Sequence, residues 1–431
     1  MLTAPSTLLA LFEQFDLSSR PSVIAAVSGG SDSTALLLLL QEHLLRHAPK
    51  TRLVAVTVDH ALRPESAAEA AGVARLCDKL GVAHRTLKWT GDKPATGLAA
   101  AAREARHQLL AEAAAAESTD LVLTGHTADD QAETVLMRQA RGETGSNGRG
   151  LAGIAPATLF DGKTWFARPL LAVRREALRG FLSQKQVRWI DDPSNINQRY
   201  ERPRVRMKLA EADGEEAIAA ALDIAAGAGR ERERLGNAAA ELIRERADHL
   251  APGLLRLRPD FLRTEDADAA VYAVRILLAV TGGTPHLPDE ARTEALYRRL
   301  AVEGSVRAVL SRTLADRRRA GIFLLREARG LPAMGEVRDG IVWDGRYRIS
   351  SPRLPPHHLP PLVEKDPAAV PESLLHKAAA AQPALPPDWT AVPILAPWAR
   401  YLPSFDLVPA QAMAELIDAP PIPAPPFQEH D

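Results

Sequence analysis

The sequence predicts an α/β protein: an N-terminal parallel sheet with helices on both faces, then a helical domain and a small β-containing C-terminal domain. Three observations carry this prediction. Residues 22–141 alternate four apolar strand-like runs with four helix-like runs, as in parallel sheets with helical crossovers. After about residue 215, helical runs follow one another without strands. From residue 321 short β-type runs return, and 20 of the 33 prolines lie after residue 330.

Each element of the N-terminal domain is bounded by a turn residue or a change in polarity. Gly81, for example, suits a helix C-terminus because glycine readily adopts the left-handed conformation found there. The predicted strands are 22–30, 51–60, 82–89 and 120–126, and the predicted helices are 32–47, 65–81, 98–117 and 128–141. Parallel sheets bind ligands at the carboxyl ends of their strands. The polar strand exits SGGSDS (28–33) and GHTADD (125–130) therefore predict the position of the site.

Changes in pattern along the chain predict three domains. Residues 1–214 form the α/β domain, residues 215–320 the helical domain and residues 321–431 the C-terminal domain. The last segment, PPIPAPPFQEHD (420–431), is expected to fray because it is rich in proline and lies at a chain terminus.

The composition is that of an ordinary globular protein. Apolar residues make up 46% and charged residues 25% of the 431 residues, and the formal net charge is −1. A near-neutral chain gives no global sign of a polyanionic partner, so any nucleic-acid site must be local. No apolar run reaches the roughly 18 residues of a membrane span. Cys77 is the only cysteine, so no intramolecular disulfide can form, and we expect a cytoplasmic protein without a membrane partner.

The stretch SGGSDS (28–33) predicts a phosphate site. Its glycines let the backbone approach a ligand oxygen, and the amides at the start of the following helix favour anions. The residues expected to bind phosphate are Ser28, Gly29, Gly30, Ser31, Asp32 and Ser33. The lysine of a G-x-x-x-x-G-K-[ST] loop is absent, and Asp32 suits a Mg²⁺ ion that bridges phosphate oxygens. The alternative is a tight turn in which Asp32 or Ser33 caps the helix.

SGGSDS resembles the signature of the PP-loop superfamily, whose members cleave ATP between the α and β phosphates, adenylate a substrate and release pyrophosphate. Further motifs narrow the resemblance: VDHALRPES (58–66), GHTADDQAETVLMRQARG (125–142), RPLLAVRREALRGFL (168–182) and WIDDPSNINQRYERPRVR (189–206). Together with the loop they resemble the tRNA(Ile)-lysidine synthetase family.

This resemblance implies a reaction and its partners. ATP would activate C2 of the wobble cytidine in an isoleucine tRNA with a CAU anticodon, and free lysine would displace AMP through its ε-amine. The products would be lysidine, AMP and pyrophosphate. The expected cofactors are ATP and Mg²⁺, and a homodimer is left open by the sequence.

The resemblance places the ATP and lysine sites in HTADDQAE (126–133). His126 and Asp129 are expected nearest the phosphates. Asp130 and Glu133 are expected to hold the ammonium of lysine or to accept its proton. The helical spacing puts His126, Asp130 and Glu133 on one face. The alternative is an ordinary acidic first turn, which the helix dipole favours.

Three residues outside that helix start complete the expected site. Asp59 and His60 match the family's VDHxLR segment and are expected beside the nucleotide, the alternative being that they only shape a turn. Arg106 falls where the family has an arginine facing the active site. A positive charge there would stabilise the charge that develops on the phosphates, and a solvated helix face is the alternative for this residue.

Two groups of arginines are expected to contact tRNA. Arg202 and Arg206 match the arginines of the family's R-N-x-[IV]-R segment, although Pro203 stands at the usual asparagine. Residues 292–329 contain ten arginines and four acids, a net charge of +6 by count. The contacts to the tRNA backbone expected there are Arg317, Arg318 and Arg319. A solvated charged face is the alternative.

Two other functions stay open on the residues alone. One is a different PP-loop enzyme that adenylates tRNA, such as a thiolase using an external sulfur carrier. The other is a nucleotide- or RNA-binding module without catalysis. Sulfur insertion by the protein itself needs thiolates or an iron–sulfur cluster. Cys77 lies in a predicted helix away from the polar strand exits, which favours an amine nucleophile supplied by a substrate.

Overall fold

The computed structural model describes residues 10–142, 149–191, 201–209, 214–302, 304–351 and 370–428. Contacts between residues divide the chain into two compact units, of which the first contains residues 1–231 and 424–431 and the second residues 232–423. The three domain boundaries proposed from the sequence stay a prediction. Among the described residues, no helix combines the length and the apolar composition needed to cross a membrane.

The strands and helices are numbered here in chain order. The strands are Ser22–Ala26 (β1), Arg52–Asp59 (β2), Ala83–Lys88 (β3), Leu121–Thr124 (β4), Ala157–Phe160 (β5), Thr164–Ala167 (β6), Ala247–Ala251 (β7), Leu254–Leu257 (β8), Val306–Leu310 (β9), Thr313–Arg318 (β10), Gly321–Arg326 (β11), Val342–Trp343 (β12), Tyr347–Ser350 (β13), Thr390–Pro393 (β14) and Tyr401–Pro403 (β15). The helices are Ser31–His47 (α1), Ser66–Leu80 (α2), Leu98–Ala116 (α3), Ala128–Ala140 (α4), Arg175–Gln184 (α5), Glu201–Leu209 (α6), Gly214–Arg246 (α7), Ala267–Gly282 (α8), Glu290–Ala301 (α9), Glu372–Ala380 (α10) and Leu407–Leu416 (α11).

Within the first unit, six strands form a sheet in the order β5-β6-β4-β1-β2-β3. All neighbouring pairs are parallel except β5 and β6. The strands and helices predicted for residues 22–141 are all present, which confirms the α/β fold class. The chain runs from β1 outward to β3 and returns to β4 on the other side of β1. This reversal of direction creates a crevice at the carboxyl ends of β1 and β4, where doubly wound sheets bind ligands.

The apolar pattern of the sequence explains why these elements pack as they do. Every residue of β1 is buried, and so is the leucine run Leu36–Leu40 of α1. A strand covered on both faces needs such a continuous apolar run. Burial of the sheet centre fixes the ends of β1 and β4 side by side, and the polar loops that follow them are thereby brought together.

The helical region predicted after residue 215 is present, but the second unit also has strands in the range 215–320, which the sequence did not predict. Four strands, β7 to β10, lie within that range, and with β11 they form an antiparallel sheet in the order β7-β8-β11-β10-β9. Strands such as VRAVL and TLADRR mix arginine with apolar residues over only a few positions, so their alternation is too short to distinguish from a helix face. The β-containing end predicted after residue 321 is present, with β12, β13 and β14 in a second antiparallel sheet.

The frayed C-terminal tail is corrected for residues 424–428. Phe427 pairs with Phe15 in an isolated bridge, and their rings stack 5.5 Å apart. The backbone of Asp16 donates to the carbonyl of Pro426 at 3.0 Å, and that of Gln428 donates to the carbonyl of Gln14 at 2.9 Å. An aromatic anchor and two main-chain hydrogen bonds outweigh the tendency of a proline-rich terminus to fray.

Candidate active site

A cleft of about 1070 Å³ opens where β1 and β4 end. The loop after β1, the loop after β4, and the starts of α5 and α6 line it. Of the residues predicted from the sequence, its lining includes Ser28, Gly30, Ser31, Asp32, Ser33, Arg106, His126, Asp129, Asp130, Glu133, Arg202 and Arg206. Gly29, Asp59 and His60 are not part of that lining among the described residues.

The loop after β1 is a tight turn that leads directly into α1. The hydroxyl of Ser33 accepts from the amide of Ser28 at 3.1 Å and donates to the carbonyl of Gly30, also at 3.1 Å. Gly29 has a φ of +89°, and a Cβ there would lie 2.7 Å from Cδ1 of Ile190. The carbonyl of Gly29 accepts from the amide of Ile190 at 2.9 Å. The positive φ therefore favours glycine at this position, and a Cβ would also displace the end of the Ile190 side chain.

The loop after β4 approaches the start of α1 closely. A Cβ on Gly125 would lie 2.9 Å from the carbonyl of Asp32 and from the amide nitrogen of Ser33. Only glycine allows this approach, because backbone atoms cannot move aside for a side chain. The glycine thus brings His126 and the start of α4 next to the helix end that would bind phosphate.

Arg175, the first residue of α5, joins three predicted carboxylates. Its Nε lies 2.8 Å from Oδ2 of Asp32. Its terminal nitrogens lie 3.3 Å from Oδ1 of Asp130 and 3.5 Å from Oε1 of Glu133. Burial opposes the charge of this guanidinium, yet the carboxylates of Asp130 and Asp32 hold its pKa above the ordinary arginine value. Arg175 thereby connects the predicted magnesium ligand to the predicted lysine site.

Asp130 and Glu133 also meet the two arginines that were predicted to contact tRNA. Glu133 is 1% exposed, and its Oε1 lies 2.6 Å from Nε of Arg206, while its Oε2 lies 3.4 Å from Nε of Arg202. Arg206 also lies 3.6 Å from Asp130. The structure therefore places the predicted lysine-binding and tRNA-binding residues in one cleft. There Arg175, Arg202 and Arg206 pair with the carboxylates of Asp32, Asp130 and Glu133.

Asp130 also stabilises the start of its own helix, α4. Its Oδ2 accepts from the amide of Thr127 at 3.0 Å, and the Thr127 hydroxyl accepts from the amide of Asp130 in return. This reciprocal pair is a capping box that begins α4. Asp129 similarly serves α5, since its Oδ2 accepts from the amide of Arg175 at 2.7 Å and its Oδ1 lies 3.3 Å from Arg174.

His126 faces a group of arginines and is neutral at physiological pH. Burial, followed by the charges of Arg168 and Arg106, holds its pKa well below the usual histidine value. Its Nδ1 lies 3.0 Å from the hydroxyl of Thr124. Arg106 lines the cleft, and burial lowers its pKa as well. A neutral imidazole beside buried guanidiniums suits contact with an anionic phosphate better than with another cation.

Asp59 and His60 lie at the end of β2 and shape its exit. Oδ1 of Asp59 accepts from the amide of Ala61 at 2.8 Å. The ring of His60 packs edge-on against Trp89, with centroids 6.0 Å apart. Burial and then the charge of Arg106 lower the pKa of His60. The geometry of these two residues matches the turn-shaping alternative, and their expected place beside the nucleotide stays a prediction.

Comparison with known proteins adds the family to this geometry. Residues 3–213 match the family model of a PP-loop domain. A tRNA(Ile)-lysidine synthase from Mesorhizobium japonicum (strain LMG 29417 / CECT 9101 / MAFF 303099) is 50% identical over 455 aligned residues, which cover 99% of this chain and 99% of that protein. The chain belongs to the tRNA(Ile)-lysidine synthase family.

A second curated relative has the same name. The tRNA(Ile)-lysidine synthase of Brucella ovis (strain ATCC 25840 / 63/290 / NCTC 10512) is 43% identical over 347 residues, which cover 78% of this chain and 76% of the relative. Among solved structures, U34-tRNA thiolase NcsA from Methanococcus maripaludis is 17% identical to this chain, with a TM-score of 0.44. The alignment covers 52% of this chain and 77% of the NcsA chain. Membership of the lysidine synthase family confirms the predicted family and enzyme class.

Cys77, the only cysteine of this lysidine synthase family member, does not have a reactive thiol. Cys77 is fully buried in α2. Burial, together with the nearby Asp78, raises the pKa of its thiol to about 11. The thiol is therefore protonated at neutral pH, and Cys77 does not line the cleft among the described residues. This protein supplies no thiolate nucleophile of its own to the cleft.

Sequence reasoning missed two arginines of the cleft, Arg174 and Arg175. Both stand at the start of α5, where the positive end of the helix dipole disfavours cations. Arg174 pairs with Asp129 at 3.3 Å and with Glu215 at 2.6 Å. Two adjacent arginines at a helix start are a signal that carboxylate partners lie opposite. This signal was present in the segment RPLLAVRREALRGFL.

The predicted arginine triplet lies in a different cleft, within the second unit. Arg317 and Arg318 end β10, and Arg319 lies in the turn before β11, so the triplet is not helical. The cleft measures about 810 Å³. Its other arginines are Arg258, Arg263 and Arg307. Buried Asp316 pairs with Arg307 at 3.2 Å and with Arg318 at 3.1 Å.

Proposed function

We propose that this protein ligates free lysine to C2 of the wobble cytidine in an isoleucine tRNA with a CAU anticodon, through an adenylated tRNA intermediate. The observation that carries this proposal is that the phosphate-binding helix start and the pair Asp130–Glu133 open onto one cleft. A reaction that first adenylates a base and then admits an amine needs both in one place.

In the first step, the amides at the start of α1 and the hydroxyls of Ser28 and Ser31 would hold the phosphates of ATP. O2 of the cytidine would attack the α phosphate, and the bond to pyrophosphate would break. Arg106 and neutral His126 would face the charge that develops on the phosphate oxygens. Arg106 lines the cleft without an ion pair to a carboxylate among the described residues.

Asp32 fits a Mg²⁺ ion bound together with ATP. Its carboxylate lies at the cleft, and among the described residues no group of three or more His, Cys, Asp or Glu side chains could hold a metal alone. Magnesium in nucleotide sites usually takes one or two carboxylates plus phosphate oxygens and water. The bound ion would neutralise phosphate charge, and Asp32 would then exchange its contact with Arg175 for it.

In the second step, the carboxylates of Asp130 and Glu133 would bind lysine. Their oxygens are held by Arg175, Arg202 and Arg206, so a cationic substrate would replace one guanidinium rather than enter an empty anionic pocket. The ε-ammonium must lose a proton before it attacks, and either carboxylate would accept it. The bond from C2 to the lysine nitrogen forms, and the bond from C2 to the oxygen of AMP breaks.

Arginines on two surfaces would hold the tRNA. Arg202 and Arg206 lie at the cleft and would place the anticodon loop there. The cleft around Arg317, Arg318 and Arg319 is lined by six arginines in total and would contact the phosphate backbone. Contacts of this kind position a nucleic acid without reading its sequence.

The test is mass spectrometry of tRNA after incubation with the protein, ATP and isotopically labelled lysine. We expect one labelled lysine on the wobble cytidine, with AMP and pyrophosphate released in equal amounts. Omission of lysine is expected to leave adenylated tRNA. Sulfur uptake from a carrier protein without lysine uptake would favour the thiolase alternative. ATP binding without any turnover in the presence of tRNA would favour the non-catalytic module.

A further inference from the structure

The second unit contains a partly open cavity that the proposed reaction does not use. It measures about 400 Å³ and lies among β7, β8, β14, the end of α8 and the turn before β13. The apolar part of its wall includes Leu255, Val280, Ala391, Pro393, Ile394 and Ile417. Volumes of about 300–1000 Å³ with mostly apolar walls are typical of small-molecule sites.

Arg346, which lines this cavity, belongs to a cluster of charged residues around Asp344. The carboxylate of Asp344 is fully buried and pairs with Arg326 at 3.1 Å, with Arg346 at 2.7 Å and with Arg312. Burial and the charges of Arg312 and Arg346 lower the pKa of Arg326 to about 10, while Glu327 acts in the opposite direction. One buried carboxylate cannot neutralise three guanidiniums, so the cluster keeps an excess of positive charge.

Two buried donors of this wall have no partner among the described residues. Arg346 is 5% exposed; its Nε contacts Asp344 and its Nη2 the carbonyl of Ala381, but its Nη1 has no hydrogen bond. The hydroxyl of Thr281, a residue that is 6% exposed, also has none. A buried donor left without an acceptor costs stability, and a ligand oxygen would remove that cost.

The unpartnered nitrogen lies beside Gly253, a residue of the cavity wall. Gly253 lines the cavity, and a Cβ on it would lie 3.4 Å from Nη1 of Arg346 and 3.5 Å from the hydroxyl of Tyr347. The other ionisable residues of the wall, His249 and Asp418, share a hydrogen bond of 3.2 Å. The guanidinium of Arg346 is therefore the group with unused donor capacity on this surface.

We propose that this cavity binds a small organic carboxylate with an apolar body. The carboxylate would accept hydrogen bonds from Arg346 Nη1 and the Thr281 hydroxyl, with Tyr347 within reach. The apolar body would pack on Leu255 and Ile394. Inorganic phosphate fits the cavity less well, because the apolar walls would leave most of its oxygens without donors.

The test is a calorimetric titration of the full-length protein with octanoate and benzoate, alongside octan-1-ol, benzyl alcohol and inorganic phosphate. We expect both carboxylates to bind with one site per chain and to raise the melting temperature. The alcohols, which lack the charge, are expected to bind at least about tenfold more weakly. Equal affinity for acids and alcohols, or binding of phosphate alone, would overturn the proposal.

Substitutions in the cavity wall test whether the carboxylate binds there. Thr281→Val keeps the side-chain volume and removes the unpartnered hydroxyl, so we expect an intact fold and carboxylate binding weakened by about fivefold to tenfold. Ile394→Trp fills the cavity and is expected to abolish binding, whereas the matched control Val309→Trp, on the exposed face of β9, should bind normally. Neither Thr281→Val nor Val309→Trp should change the rate of tRNA modification at saturating substrates.

Two results would place the ligand elsewhere and refute the assignment. The first is unchanged carboxylate affinity in Thr281→Val. The second is normal binding in Ile394→Trp with its fold verified by an unchanged melting transition. If Ile394→Trp does not fold, Tyr347→Phe takes its place, since it removes a hydroxyl at the same wall without adding volume.

Discussion

At the scale of single residues, ion pairs between arginines and carboxylates organise the cleft. Arg175 contacts Asp32, Asp130 and Glu133. Arg175, which pairs with these carboxylates, is a cation, as the lysine substrate would be. Each proposed ligand therefore has to compete with Arg175, and removal of a carboxylate changes the remaining pairs as well as the ligand contact.

We expect Asp32→Ala to abolish pyrophosphate release with tRNA and ATP while the protein stays folded. The variant removes the charge proposed to hold Mg²⁺, but Arg175 keeps Asp130 and Glu133 as partners, and no core volume is lost. The measurement is pyrophosphate release, with a thermal melt for each variant. Asp78→Ala, on the exposed face of α2, is the matched control. Near-normal release by folded Asp32→Ala would refute the assignment of Asp32.

We expect Glu133→Gln and Asp130→Asn to raise the KM for lysine more than the KM for ATP. Both substitutions keep the side-chain shape and remove a negative charge, and hydrogen bonds to charged groups are worth roughly 1.5–3 kcal/mol. The KM for lysine should therefore rise by about tenfold to a hundredfold. Steady-state kinetics with each substrate varied in turn provide the test. An equal rise for both substrates would move these residues out of the lysine site.

At the scale of elements, three helix starts build the site. α1 begins after the turn with Gly29, α4 begins with the capping box of Thr127 and Asp130, and α5 begins at Arg175. Helix starts present unpaired amides and a partial positive charge. The start of α1 carries no side-chain cap and is the one suited to phosphate, whereas amides at the starts of α4 and α5 already donate to Thr127 and Asp129.

We expect Gly125→Ala to disturb the phosphate loop. A Cβ at this position would lie 2.9 Å from backbone atoms of Asp32 and Ser33, so the two loops must separate, at a cost of about 1–3 kcal/mol. The KM for ATP should rise and the melting temperature fall. The matched control is Gly180→Ala in α5, where a Cβ meets nothing within 4 Å. An unchanged KM for ATP in Gly125→Ala would show that the close approach does not position the loop.

At the scale of the whole molecule, a chain of net charge −1 must concentrate its cations to hold RNA. Arginines are concentrated in the cleft of the second unit, where β10 and the turn after it add three arginines to Arg258, Arg263 and Arg307. Arg318 shares Asp316 with Arg307, so the three members of the triplet are not equivalent.

We expect the triple replacement of Arg317, Arg318 and Arg319 by Ala to weaken tRNA binding and flatten its salt dependence. Each lost phosphate contact should lower the slope of log affinity against log salt by about 0.7–0.9. Turnover at saturating tRNA should change little, because the proposed chemistry occurs in the cleft of the first unit. Salt titrations of tRNA binding provide the measurement.

The control for that experiment is a triple replacement of Arg292, Arg298 and Arg299, which are exposed on α9 within the same basic stretch. It removes the same charge but leaves the arginine cleft intact, so its slope should stay close to that of the parent protein. Identical slopes for the parent and for the triplet variant would place the tRNA surface elsewhere, around Arg202 and Arg206.

The sequence by itself determined the parallel sheet, the phosphate loop and the carboxylate helix, because these depend on local apolar periodicity and on glycines and serines at strand ends. Only the tertiary structure decided that Arg175 lies 2.8 Å from Asp32, 143 positions away. That contact depends on the order of strands in the sheet, which local patterns do not encode. The same holds for the strands of the second unit, whose short arginine-containing runs become a sheet only by pairing with the apolar β11. Local physics selects the elements, and long-range burial decides which side chains meet.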